Sequence, residues 1–149
     1  MKKIVLVSTV VLISATSLWS ISCRCAASSK DLARCEYYVK EKFDLTHQKN
    51  CLDYADATID ALPAKAAWYY ILGGNTKKAK ESIEKALKLN QYFALEYLAI
   101  VLAIEKDYQN ARKVFEEFKK KVKKHTFVKK DLETVKKIYK NFDTSSFEF

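Results

Sequence analysis

From Ser29 onward, apolar residues recur three and four positions apart, and no stretch alternates with period two for long enough to suggest a strand. That periodicity restricts the chain to helices packed on helices. Only two glycines and one proline occur in 149 residues, whereas a sandwich, barrel or propeller draws on such residues for a turn roughly every 8–12 positions. The same scarcity excludes a glycine-rich phosphate loop and a dinucleotide fingerprint. With 49% apolar and 30% charged residues, the composition is that of one folded helical domain rather than a disordered tail.

Lys2 and Lys3 precede the apolar run Ile4 to Ile13, and Ser14-Ala15-Thr16-Ser17 follow it. Charged, then apolar, then small is the order of a secretory signal. The run is shorter than the stretch of about 20 residues that spans a membrane comfortably. Residues 1–22 are therefore expected to be a signal peptide, with an alternative boundary at Ala27, and the mature chain to reside in the periplasm, in the membrane-anchored envelope or outside the cell. Cys23, following Ser20-Ile21-Ser22, resembles the lipid-modified cysteine of bacterial lipoproteins, although Ser20 stands where an aliphatic residue is usual.

Export makes disulfides the default expectation for the four cysteines, which allow three pairings. Cys35 and Cys51 fall on two adjacent predicted helices, so a bridge between them is geometrically possible. Closing a loop of about 15 residues would contribute roughly 3 kcal/mol. Cys23 and Cys25 are left near the new N-terminus, lipidated, paired or free. No Cys-x-x-Cys occurs, and His47 and His125 stand apart from any cysteine cluster, so neither a metal nor a haem nor another cofactor is expected.

The periodicity predicts seven helices, over about residues 30–43, 48–62, 64–73, 76–90, 92–105, 108–124 and 128–142. Their separators are short, which forces sequential helices to lie antiparallel. The helix at 76–90 has one apolar stripe (Ala79, Ile83, Ala86, Leu87), so it packs against one layer. Between Phe93 and Ile104 only Glu96 is not apolar, which predicts a helix covered on most sides. The last helix carries a narrow seam of Val128, Leu132, Val135, Tyr139 and Phe142, as expected of a cap that seals a stack.

The chain also repeats itself. Ala66-Ala67-x-x-Tyr70 and Ala79-x-x-x-Ile83-x-x-Ala86 are followed 32 residues on by Leu98-Ala99-x-x-Leu102 and Ala111-x-x-x-Phe115-x-x-Phe118. Small Ala lets the second helix of a pair approach the first, and the large residue a turn later fills the groove. This pattern resembles the tetratricopeptide repeat, and the turns Gly74-Asn75-Thr76-Lys77-Lys78-Ala79 and Lys106-Asp107-Tyr108-Gln109-Asn110-Ala111 are similar to that family's as well. The period falls short of the family's 34 residues or so, and Pro63 and Gln91 depart from its usual residues. The resemblance implies an all-α chain of antiparallel hairpins stacked as a short α-solenoid. The resemblance covers about residues 63–142, and the chain as a whole is expected to divide into a signal segment, an N-terminal hairpin at 28–62 that does not align well with the repeats, two repeats at 63–124 and a capping helix with its tail at 125–149. The resemblance further implies that the first helix of each unit lines a concave binding surface, which places Trp68, Ile71, Phe93, Glu96 and Ile100 there.

No local signature for acyl transfer, phosphoryl transfer or metal-assisted hydrolysis is present, and adjacent acids such as Glu116-Glu117 point to different helix faces. The expected function is recognition of a peptide or protein partner in the cell envelope, not catalysis. The formal charge of +9 suggests a second reading. Lys119, Lys120, Lys121, Lys123, Lys124, Lys129 and Lys130 fall in twelve residues without one acid, a cluster able to attract anionic lipid or another polyanion. Nucleic acid is not an expected partner of an exported chain.

Overall fold

The computed structural model describes residues 28–123 and 127–147. The expected signal segment, Cys23, Cys25, Lys124 and His125 lie outside the described residues. The described chain is all-helical. Helix α1 covers residues 28–41 and is π-helical over Cys35–Glu41; a short 3₁₀ turn, Leu45–His47, leads into α2, Gln48–Thr58. Then follow α3, Pro63–Leu72, α4, Thr76–Lys88, α5, Ala94–Ile104, α6, Tyr108–Lys121, and α7, Val128–Ile138.

Helices α3, α4 and α6 begin at recognisable start signals. Pro63 opens α3 at a position whose N–H has no helical partner to lose. The carboxamide of Asn75 caps α4 by accepting from Lys78 N, and the Asp107 carboxylate caps α6 by accepting from Asn110 N. From α2 to α6, each helix packs chiefly against its predecessor and successor, and α3 also touches α5. Ala66, Ala67, Ala79, Ala86, Ala99 and Ala111 are fully buried at these crossings, with Ile83, Phe115 and Phe118 filling the space beside them. Ser82, buried, donates its hydroxyl to Pro63 O at 2.7 Å and ties α4 to the start of α3. No helix among the described residues is long and apolar enough to cross a membrane.

Three turns share one design. Phe43, Gly74 and Lys106 have positive φ of 56°, 78° and 66°, and the residue after each accepts a backbone N–H with its side chain. Only Gly74 adopts that conformation without a Cβ penalty. The amides of Asn75 and Asp107 reach back to Tyr70 O and Leu102 O, whereas that of Asp44 reaches one residue further, to Tyr38 O. The π-helical end of α1 accommodates this additional residue. The α1–α2 hairpin thus repeats the turn of the two later hairpins, and Cys35, Ala67 and Ala99, spaced by 32, are all fully buried.

Cys35 and Cys51 form a disulfide between α1 and α2, with their Cα atoms 5.0 Å apart. The other end of the molecule departs from expectation. Helix α7 stops at Ile138 rather than near residue 142, and extended Tyr139 donates its hydroxyl to Ile71 O at 2.7 Å. The tail beyond it folds back on α6: Phe147 meets Phe115 edge-on at 5.1 Å between ring centroids, and Ser146 donates to Tyr108 O.

Candidate functional site

Helices α3, α5 and α7 leave a cleft of about 540 Å³ between them, closed on one side by the end of α1 and on another by the end of α6. Trp68 and Tyr69 come from α3, Phe93, Glu96 and Tyr97 from the start of α5, and Val128 and Asp131 from α7. Phe93 and Tyr97 share a face because they are four residues apart on the helix. The indole of Trp68 stacks on the ring of Tyr97 with centroids 5.6 Å apart, forming one wall. Phe127, 75% exposed, stands at the rim.

At the bottom of this aromatic enclosure lies a carboxyl. Glu96 is 6% exposed, and its Oε1 has no hydrogen-bond partner. Burial, and secondarily the charge of Asp131, pushes its pKa up to about 8. Burial also raises Asp131, to about 6, even though Lys40 and Lys130 pull in the opposite direction. Burial holds the Tyr97 phenol well above its ordinary range, with the two carboxyls adding to the effect. Desolvation dominates in each case because the charged form of an acid loses more hydration than its neighbours return.

Of the three lysines that line the cleft, Lys40 and Lys65 are engaged with other groups and Lys130 is exposed at its rim. Lys40 Nζ donates to Glu36 Oε2 at 2.9 Å, while Glu36 Oε1 accepts from the Tyr69 hydroxyl at 2.5 Å. Burial, reinforced by that bond to Glu36, raises the Tyr69 phenol far above its usual value. Lys65 Nζ lies 5.3 Å from the centroid of the Tyr54 ring. Among the described residues, no Lys, Arg or His nitrogen comes within ion-pair distance of Glu96 or Asp131.

Of the five positions expected on a concave surface, Trp68, Phe93 and Glu96 line this one cleft. Ile71 and Ile100 do not: both are fully buried. One turn beyond Trp68 the surface is already covered, since Tyr139 reaches across to Ile71 O, and one turn beyond Glu96 α5 is enclosed by its neighbours. Trp68 itself is 6% exposed, so it forms a wall and does not protrude as an anchor. Sequence reasoning missed Tyr97 and Asp131. The spacing of Tyr97 from Phe93 was a usable signal; for Asp131 the placement of α7 against α5 is a tertiary matter.

The basic cluster is interrupted. Lys119 pairs with Glu116 at 2.6 Å and Lys121 with Glu117 at 3.4 Å, and the Lys121 ammonium sits 4.2 Å from the centroid of the Tyr92 ring. Lys120, Lys123, Lys129 and Lys130 are exposed. No three His, Cys, Asp or Glu side chains come together as a metal site among the described residues. No protein-family model, curated protein or solved structure matches this chain.

Proposed function

We propose that the chain is an exported peptide- or protein-binding module of the cell envelope, built from stacked tetratricopeptide-like hairpins and holding its partner in the cleft between α3, α5 and α7. Function here is recognition without turnover, and a lipid on Cys23 would retain the module at the membrane. The observation that carries this reading is that Trp68 of α3 and Phe93 and Glu96 at the start of α5, selected by repeat register, line a single open cleft with aromatic walls. Such walls supply contact area at low conformational cost, as binding hot spots require. The thrice-repeated turn and the sequential packing of α2 to α6 support the stacked-hairpin part of the reading.

A photo-crosslinking residue placed at Phe93 in the native cell tests this proposal, with Gln109, exposed on α6, as the control position. Partner adducts are expected from position 93 alone, resistant to a few hundred millimolar salt and lost when Trp68→Ala is added. The competing reading places the exposed lysines beside Phe127 on an anionic membrane. Retention on anionic vesicles that disappears in salt and in a Lys120→Gln, Lys123→Gln, Lys129→Gln variant, with no adduct at position 93, would replace the first reading with the second.

A further inference from the structure

We infer that the cleft is a receptor for a basic side chain, the lysine or arginine of an extended partner peptide, whose cation lies against the wall formed by the stacked Trp68 and Tyr97 rings and beside the carboxyls of Glu96 and Asp131. The inference rests on the peptide-binding reading and adds the chemistry of the bound residue.

An aromatic enclosure by itself accepts almost any apolar group. What distinguishes this one is the acid at its base. Glu96 is more than nine-tenths buried, lines the cleft and leaves Oε1 without a partner, and an unsatisfied buried carboxyl oxygen is costly to maintain. Asp131 faces the same space from the opposite helix. Two acids and several ring faces converging from three helices provide what a desolvated cation needs: opposite charge, hydrogen-bond acceptors and negative π-faces.

Among the described residues, the protein's own cations do not fill this role. From α1, Lys40 is committed to Glu36, which also takes the Tyr69 hydroxyl; from α3, Lys65 lies over Tyr54; from α7, Lys130 is exposed at the rim. Of the described residues of helix α6 and the segment after it, Phe118, Val122 and Phe127 line the cleft. A ligand cation entering the cleft is therefore the complement to Glu96. With the cleft empty, Glu96 holds its proton up to about pH 8. Binding of a cation ionises it, so a proton leaves as the ligand enters.

The probes are labelled pentapeptides, acetylated and amidated, with leucine at the outer positions and lysine, arginine, norleucine or glutamate at the centre. Fluorescence polarisation is measured on the full chain between pH 6 and pH 8. Lysine and arginine peptides are expected to bind at least about tenfold tighter than norleucine, and their affinity to rise towards tenfold per pH unit as Glu96 ionises. Glu96→Gln and, independently, Asp131→Asn should reduce this selectivity, and Glu96→Gln should flatten its pH dependence. If peptides bind regardless of charge, or glutamate binds best, the cationic pocket is refuted while peptide binding stands. Unchanged selectivity in Glu96→Gln refutes it equally. If no peptide binds at any pH, both the inference and the reading beneath it fail. The wild-type pH series needs no variant, so misfolding of a mutant leaves the test intact.

Discussion

Replacing Glu96 with Gln should make the protein more stable in mild alkali, and the size of the effect follows from where the carboxyl sits. In the folded chain its pKa lies at about 8, against an ordinary 4.5. Between those values the native state retains a proton that the unfolded chain has released, so stability falls as pH rises and levels off above pH 8. Each pH unit in that window costs about 1.4 kcal/mol. Asp131 titrates near pH 6, so the loss between pH 6 and pH 8 falls chiefly to Glu96 and should be about 2 kcal/mol, the slope halving as pH reaches the folded value. Gln has almost the same shape and does not ionise. Below pH 4.5 the variant should therefore match the wild type within about 1 kcal/mol; at pH 6 it should exceed it by about 2 kcal/mol and at pH 8 by about 4 kcal/mol. Urea denaturation followed by circular dichroism from pH 4 to pH 8 gives both curves, and their difference cancels groups common to the two proteins. Parallel curves would show that Glu96 is already ionised in the native state and would refute the account of a neutral buried carboxyl.

Three further outcomes are expected. Ala79→Leu and Ala111→Leu place a larger side chain at fully buried crossings and should each cost about 1–3 kcal/mol; unchanged melting temperatures would contradict the packing described. Removing the bridge with Cys35→Ala and Cys51→Ala together should cost about 3 kcal/mol in denaturant, because a loop closed over a separation of 16 residues is released in the unfolded chain. Lys106→Gly should stabilise the protein by about 0.5–1 kcal/mol, since φ of 66° penalises a Cβ there, while Gly74→Ala, at the same point of the preceding hairpin, should destabilise it by a similar amount; both are read from thermal melts.

How much of this was legible in the sequence depends on whether the cause is local. The seven helices were, because each needs only its own periodicity, helped at α4 and α6 by the Asn75 and Asp107 caps. Helix ends were less so. Helix α2 stops at Thr58, whose hydroxyl turns back to Tyr54 O, rather than continuing to residue 62. The turn at Phe43-Asp44 escaped comparison with its two counterparts because the π-helical segment shifts its register. Repeat register alone brought Trp68, Phe93 and Glu96 to one cleft, but it also selected Ile71 and Ile100, which neighbouring elements cover. Which face of a helix remains open is decided by elements distant in sequence: α7 and Tyr139 lie tens of residues from the helix they shield.

The bond from Tyr139 to Ile71 spans 68 residues in a molecule whose other helix contacts are largely between sequence neighbours. In a purely linear stack, end helices fray independently of the middle. Here the last helix is fastened to the third, so α7 cannot peel away without exposing the end of α3, and the opposite end is closed by the disulfide. Amide protons in α7 and at the end of α3 should consequently exchange with solvent at a common rate, as members of one cooperative unit. The cleft is thereby bounded by helices that open together or not at all.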